Sequence, residues 1–280
     1  MKKIIFPILL LVAGAAALMF NSCKKAVADT DIQSPIDNSM CEAEYSRMLP
    51  TVNSIAVDHA GGNGVQIIKY GGHGGNLQTE SAYPHITPAD TTHGFPRTVT
   101  IDYGPLPGVL DTTDGRTRSG LITIVFSDRW HHNGAVVTVS LSNYYVNGTN
   151  FQGTLTLTHN SGTSYSSNIS NGKCTASNWV ITWAMNRQVT ITDTTAAHRV
   201  YQITGSENGV NRNGQAYTVS IEQNYPLVKK ANCPWISSGK LDLTPTGLAT
   251  RILTFGDGTG NCSDQASVSI NGTVFPFTMK

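Results

Sequence analysis

The chain has 280 residues, a formal net charge of +1 and only 13% charged residues. A surface this close to neutral argues against nucleic acid as a partner, because phosphate recognition needs concentrated Lys and Arg. Thr, Ser, Asn and Gly are abundant instead, which suits a β-rich exported protein whose strands end in polar turns.

The chain opens with "MKKIIFPILLLVAGAAALMFNSCKK". Two lysines, an apolar run from Ile4 to Phe20 and the small-residue site Asn21-Ser22 predict a secretory signal over residues 1–22. The cysteine that follows reads as a bacterial lipoprotein box, with Cys23 the lipidated first residue of the mature protein. An ordinary signal peptide or a retained anchor is the alternative, though a run of about 17 residues is at the short limit for spanning a bilayer. Acyl chains on Cys23 would hold the protein at a membrane surface. The expected place is the outer membrane of a cell envelope, on its periplasmic or its surface face. Removing residues 1–22 also removes Lys2 and Lys3 and lowers the formal charge to −1.

Residues 23–35 read as a lipidated tether and 36–60 as a helical segment. Asp37, Asn38 or Ser39 would cap it, with Glu42 and Glu44 in the first turn. Ile36, Met40, Met48, Val52 and Ile55 sit near helical spacing. Pro50 should kink the helix or divide it, and the segment should cover one face or end of a sheet. Residues 61–280 read as a single antiparallel β domain. Twelve stretches from "VQIIKY" (65–70) to "TVFPFTM" (273–279) alternate with period two, and Asn-Gly pairs at 147–148, 213–214 and 271–272 mark hairpins. Short connections require antiparallel neighbours. The fold class is therefore all-β: a long antiparallel meander forming a curled sheet, a sandwich or a partly open barrel, with a short N-terminal helical segment. Residues 71–96 interrupt the pattern as a long loop.

Of the four cysteines beyond Cys23, Cys233 and Cys262 flank what reads as one hairpin and are a candidate disulfide. Cys41 with Cys174 would complete an even set, but no local feature pairs them.

The stretches "TDGRTRSGLITIVFSDRW", "LSNYYVNG", "ITGSENGVNRNGQAYTVSI", "CPWISSGKLDL" and "TFGDGTGNCSDQASVSINGTVFPFTM" resemble cell-envelope lipoproteins of Bacteroidetes bacteria, a family with no established activity. The resemblance covers about residues 36–280 and is strongest from residue 97 onward. It implies location and architecture and assigns no catalytic residue. Cys174, in "NGKCTAS", departs from the family pattern, so the resemblance supplies no second disulfide.

The chemistry-bearing candidates are few. Asp102, Asp111, Asp114, Arg116, Arg118 and Asp128 cluster around one hairpin, and two of these carboxylates at the right separation could cleave a glycan. The competing reading is a charged, solvated turn in which Arg116 and Arg118 pair with Asp111 or Asp114, worth only about 0–1 kcal/mol. His59, His73, His85 and His93 could bind a metal, but their spacings match no compact ligand motif. Asp257, Asn261 and Asp264 suit calcium or a tight turn. Trp130, Tyr144, Tyr145, Trp179, Trp183 and Trp235 could stack on sugars or pack in the core. No nucleophile elbow is present in the sequence. The reading is a non-enzymatic structural or ligand-binding envelope protein with no cofactor. Its partners would be the membrane, through the lipid on Cys23, and an envelope glycan, lipid or protein. The alternatives are a glycan-binding or glycan-hydrolysing surface lipoprotein and a metal-binding lipoprotein.

Overall fold

The computed structural model describes residues 29–57, 83–87, 94–112, 114–130, 132–195 and 198–279. The signal segment, Cys23 and the tether up to residue 28, the predicted strand at 65–70, and His59, His73, His93 and His131 lie outside the described residues.

Among the described residues one helix, α1 (Gln33–Val57), precedes fifteen strands. They are β1 (His85–Thr87), β2 (Arg97–Asp102), β3 (Val109–Asp111), β4 (Arg116–Phe126), β5 (Val136–Val146), β6 (Thr149–Ser161), β7 (Ser164–Ala176) and β8 (Trp179–Asp193). There follow β9 (Val200–Val210), β10 (Ala216–Ile221), β11 (Leu227–Lys230), β12 (Ile236–Pro245), β13 (Arg251–Phe255), β14 (Gln265–Ile270) and β15 (Thr273–Thr278). All belong to one antiparallel sheet in near-sequential order. Two rows are interrupted strands: β2 and β3 both pair with β4, while β10 and β11 both lie between β9 and β12. Among the described residues the end strands β1 and β15 do not pair with each other. The predicted all-β meander with a short helix is the observed fold class. Asn147-Gly148 and Asn271-Gly272 have positive φ at both residues, as a two-residue hairpin turn requires.

The helix departs from expectation in three respects. It begins at Gln33, whose N–H is accepted by Asp31 Oδ1 at 2.9 Å, so Asp37–Ser39 lie inside the helix and not at its cap. It runs through Pro50 without dividing. Near the proline, side chains serve the carbonyls: Thr51 Oγ1 donates to Arg47 O and Asn53 Nδ2 to Leu49 O. Most importantly, it covers the inner face of the sheet and is also enclosed by it, where covering from one side was expected. It lies within the curl, buried on all sides along Cys41–Leu49, because the sheet is long enough to surround it.

Strand β7 has a sequence, "SYSSNISNGKCTA", too polar for the alternation rule. It is nonetheless a central strand, because Tyr165, Ile169 and Cys174 point inward and both neighbours hydrogen-bond along its length. Strand β1 lies inside the segment read as loop.

The curl depends on bulges aligned across neighbouring strands. The register shifts at Ser119/Leu121 in β4, Ser140/Tyr144 in β5, Gln152/Thr154 in β6 and Ile169/Gly172 in β7. Bulges raise local twist and bend the strand, and in a row they crease the sheet. Gly120 sits in this crease at φ 88°, and a Cβ there would stand 2.0 Å from Asn143 O. Gly120→Ala should therefore lower stability by about 2–4 kcal/mol. Gly214→Ala, with a similar φ and open space around it, should cost only about 1–2 kcal/mol. Denaturant midpoints of the two variants measure the difference, and equal losses would mean that the crease is not sterically tight.

Candidate functional site

The stretch "DTTDGRTRSG" (111–120) becomes a structured corner. Asp111 ends β3 and pairs in register with Arg116, which opens β4. Between them Asp114 Oδ1 accepts the Arg116 N–H at 3.1 Å, and Asp111 O accepts the Gly115 N–H at 2.8 Å. Arg116 and Arg118 are two apart and so share a face. That face is the inner one. Arg118 is 0% exposed and Arg116 5%, which overturns the reading of a solvated turn.

Arg118 donates from Nη1 to Asp111 Oδ2 (3.0 Å) and Asp114 Oδ1 (2.9 Å). Its Nη2 donates to Asp114 Oδ2 (2.6 Å) and to Glu44 Oε2 of the helix (3.0 Å), and its Nε to Tyr144 Oη (3.2 Å). Glu44 Oε1 accepts the Tyr144 hydroxyl at 2.6 Å and Arg47 Nη2 at 2.8 Å. Arg116 reaches Glu44 at 3.5 Å, with its guanidinium 4.6 Å from the centre of the Trp235 ring. Three arginines thus face three carboxylates, a balanced set.

Burial alone would raise the Glu44 carboxyl, but Arg118, Arg47 and Arg116 together hold it well below the usual carboxylate range. Burial pushes the Tyr144 hydroxyl well up. The odd charge is Lys229 of β11, 0% exposed, with Nζ donating to Cys233 O. Burial, with Arg47 close by, pushes its ammonium down to about 7. A second buried group lies further along the helix. Arg187 meets Glu42 and Glu207, and Trp183 Nε1 donates to Asn38 Oδ1 at 3.1 Å. Asp37 accepts Arg212 N and Nε at 2.8 and 2.7 Å.

Of the six residues grouped by sequence, the structure therefore unites Asp111, Asp114, Arg116 and Arg118 and leaves two apart. Asp102 caps Gly104 N at 2.8 Å, and Asp128 is exposed in a turn with His132 at 3.1 Å. Glu44, Arg47, Tyr144 and Lys229 join this corner without any sequence signal that groups them with it. Glu44 was placed in a first turn that in fact lies further upstream, and long-range partners leave no local mark. His85 stands on edge strand β1 against Tyr83. No group of three metal-ligating side chains occurs among the described residues. Asp257 instead accepts the N–H and hydroxyl of Thr259 as a turn. Trp130 and Trp183 are core, while Trp179 and Trp235 are half-buried under Arg212 and Arg116. Cys233 and Cys262 form the expected disulfide.

The outer face of the crease carries two open depressions. One, of about 680 Å³, is lined by Asn171, Lys173, Thr182, Asn208, Thr218 and Thr246, among others. The other, of about 470 Å³, includes Asp102, Ser142, Asn143 and Tyr145. No protein-family model, curated protein or solved structure matches the chain.

Two pH effects follow from the buried groups. Because the folded-state pKa of Glu44 is depressed, its contribution is present above the unfolded value of about 4.3 and is lost as pH falls below it. Glu44→Gln should cost about 3–5 kcal/mol at neutral pH by stranding buried arginines, and should flatten the acid limb of a stability–pH curve. An unchanged acid limb would assign that limb to other carboxylates. Lys229 has the opposite signature. The unfolded chain binds its proton up to about pH 10.4 and the folded chain only to about 7. Stability should rise between pH 7 and 9 by up to about 1.4 kcal/mol per unit. Lys229→Met should remove that rise, which denaturation at pH 7, 8 and 9 would measure.

Proposed function

We propose that this is a lipid-anchored envelope protein, held to the outer membrane through Cys23, that acts through its outer surface and not through catalysis. One observation carries the reading. The carboxylates and arginines of the 111–118 corner are committed to one another and to the helix, whereas the open depressions set Asn, Ser and Thr side chains among apolar ones. Acid–base or nucleophilic chemistry needs a reactive group within hydrogen-bond reach of a substrate, and the buried cluster offers no such approach. Amides and hydroxyls along a crease instead suit recognition of a polar envelope component, a glycan or a neighbouring protein, by hydrogen bonding and shape. The basic start, apolar run and cysteine at 1–23 support the address.

The test is fractionation with lipid labelling. The wild-type chain should incorporate labelled palmitate and partition with outer membranes, while Cys23→Ala should lose the label and become extractable without detergent. A wild-type chain that is unlabelled and soluble would overturn the reading.

A further inference from the structure

Cys41 and Cys174 lie 133 positions apart in sequence, yet their Sγ atoms stand 3.4 Å from each other, both fully buried. We propose that they form a second disulfide, a covalent staple between the central helix and strand β7.

The surroundings hold both thiols in place. One helical turn before Cys41, Asn38 accepts the Trp183 indole N–H. One turn after it, the Tyr45 ring packs on Trp183 at 5.2 Å and its hydroxyl donates to Gln152 O at 2.6 Å. Cys174 is held in register between Phe151 and Ile181. A disulfide has its sulfurs about 2.05 Å apart, so closure needs a shift of only about 1.4 Å, less than a rotamer change supplies. The two thiols contact each other in a sealed core, where neither can serve an outside ligand.

Bond formation is thiol–disulfide exchange. The thiolate of one cysteine attacks the disulfide of an oxidised acceptor, a thiol–disulfide oxidoreductase or a small-molecule disulfide, and releases one acceptor thiol. The second cysteine then displaces the other acceptor sulfur. Two cysteine thiols become one disulfide, and one acceptor disulfide becomes two thiols. The hydrogen bond with Cys174, together with burial, pushes the Cys41 thiol well up, so the reactive thiolate is scarce once the core has closed. The exchange therefore belongs to folding, before the sheet seals over the helix. From the proposed envelope location the inference takes only the oxidising compartment.

Refolding in vitro removes even that dependence. The full-length chain, reduced in denaturant and refolded with reduced and oxidised glutathione, is unfolded again in iodoacetamide without reductant and digested. A peptide cross-linking Cys41 to Cys174, beside the Cys233–Cys262 peptide, is expected. Alkylation of both Cys41 and Cys174 with Cys233–Cys262 intact would overturn the staple, as would cross-links of either to another cysteine. The double variant Cys233→Ser, Cys262→Ser isolates the pair: its Tm should fall by roughly 5–15 °C on reduction. An unchanged Tm would also overturn the proposal. Neither result bears on the membrane fractionation of the Cys23 variant, so the two readings fail separately.

Discussion

The guanidinium of Arg118 has five N–H bonds, and each finds an acceptor: Asp111, Asp114 twice, Glu44 and Tyr144. A buried ion costs several kcal/mol to desolvate, and only excellent geometry offsets that cost. Arg118 can therefore occupy the interior only when the β3–β4 corner, strand β5 and the helix are all in register. The remaining architecture follows from this requirement, because a sheet that must hold Arg118 against Glu44 must also curl around the helix that carries Glu44.

A helix buried on every side is ordinarily apolar on every side. This one buries Asp37, Asn38, Glu42, Glu44, Arg47 and Asn53 among its apolar residues. Each meets a partner from a different part of the sheet or its loops: Arg212, Trp183, Arg187, Arg118, Tyr144 and Trp130. Replacing such pairs by apolar residues is often neutral or stabilising, whereas breaking one partner is costly. The network's contribution is thus one of register. A shift by one residue would turn the helix about 100° and strand most of these charges, while the apolar contacts of Met48, Val52 and Ile55 could re-form in several ways. Stability comes chiefly from the apolar inner face, and uniqueness from the polar ladder.

The β meander was legible because alternation and Asn-Gly turns are local signals. Strand β7 was not, since its Ser and Asn residues take their conformation from hydrogen bonds to β6 and β8, information that resides in those neighbours. The helix was legible as a helix, but its burial was not: Glu42, Glu44 and Arg47 look like a solvated face until the sheet's arginines and tyrosine are known. The same holds for the charged corner. Pairing of Arg116 and Arg118 with Asp111 and Asp114 was readable from spacing alone. The inward direction was not, because it is decided by Glu44, more than 60 residues upstream.

The interior and exterior are linked by charge. Lys, Arg, Asp and Glu are almost never fully buried unless paired, and this chain has few of them. Yet Glu42, Glu44, Arg116, Arg118, Arg187, Glu207, Lys229 and Arg251 all lie in the core. Charge spent inside is missing outside, so outward strand positions carry hydroxyls and amides, as along β7, and the larger depression sets Asn and Thr side chains among apolar ones and Lys173. Such a surface exerts little long-range electrostatic steering. Under the proposed role, recognition on it would come from short-range hydrogen bonds and shape, and the described places with shape are the two depressions. Both lie on the crease, so in that role the bend of the sheet around its helix also sets where on the outside a polar partner would be held.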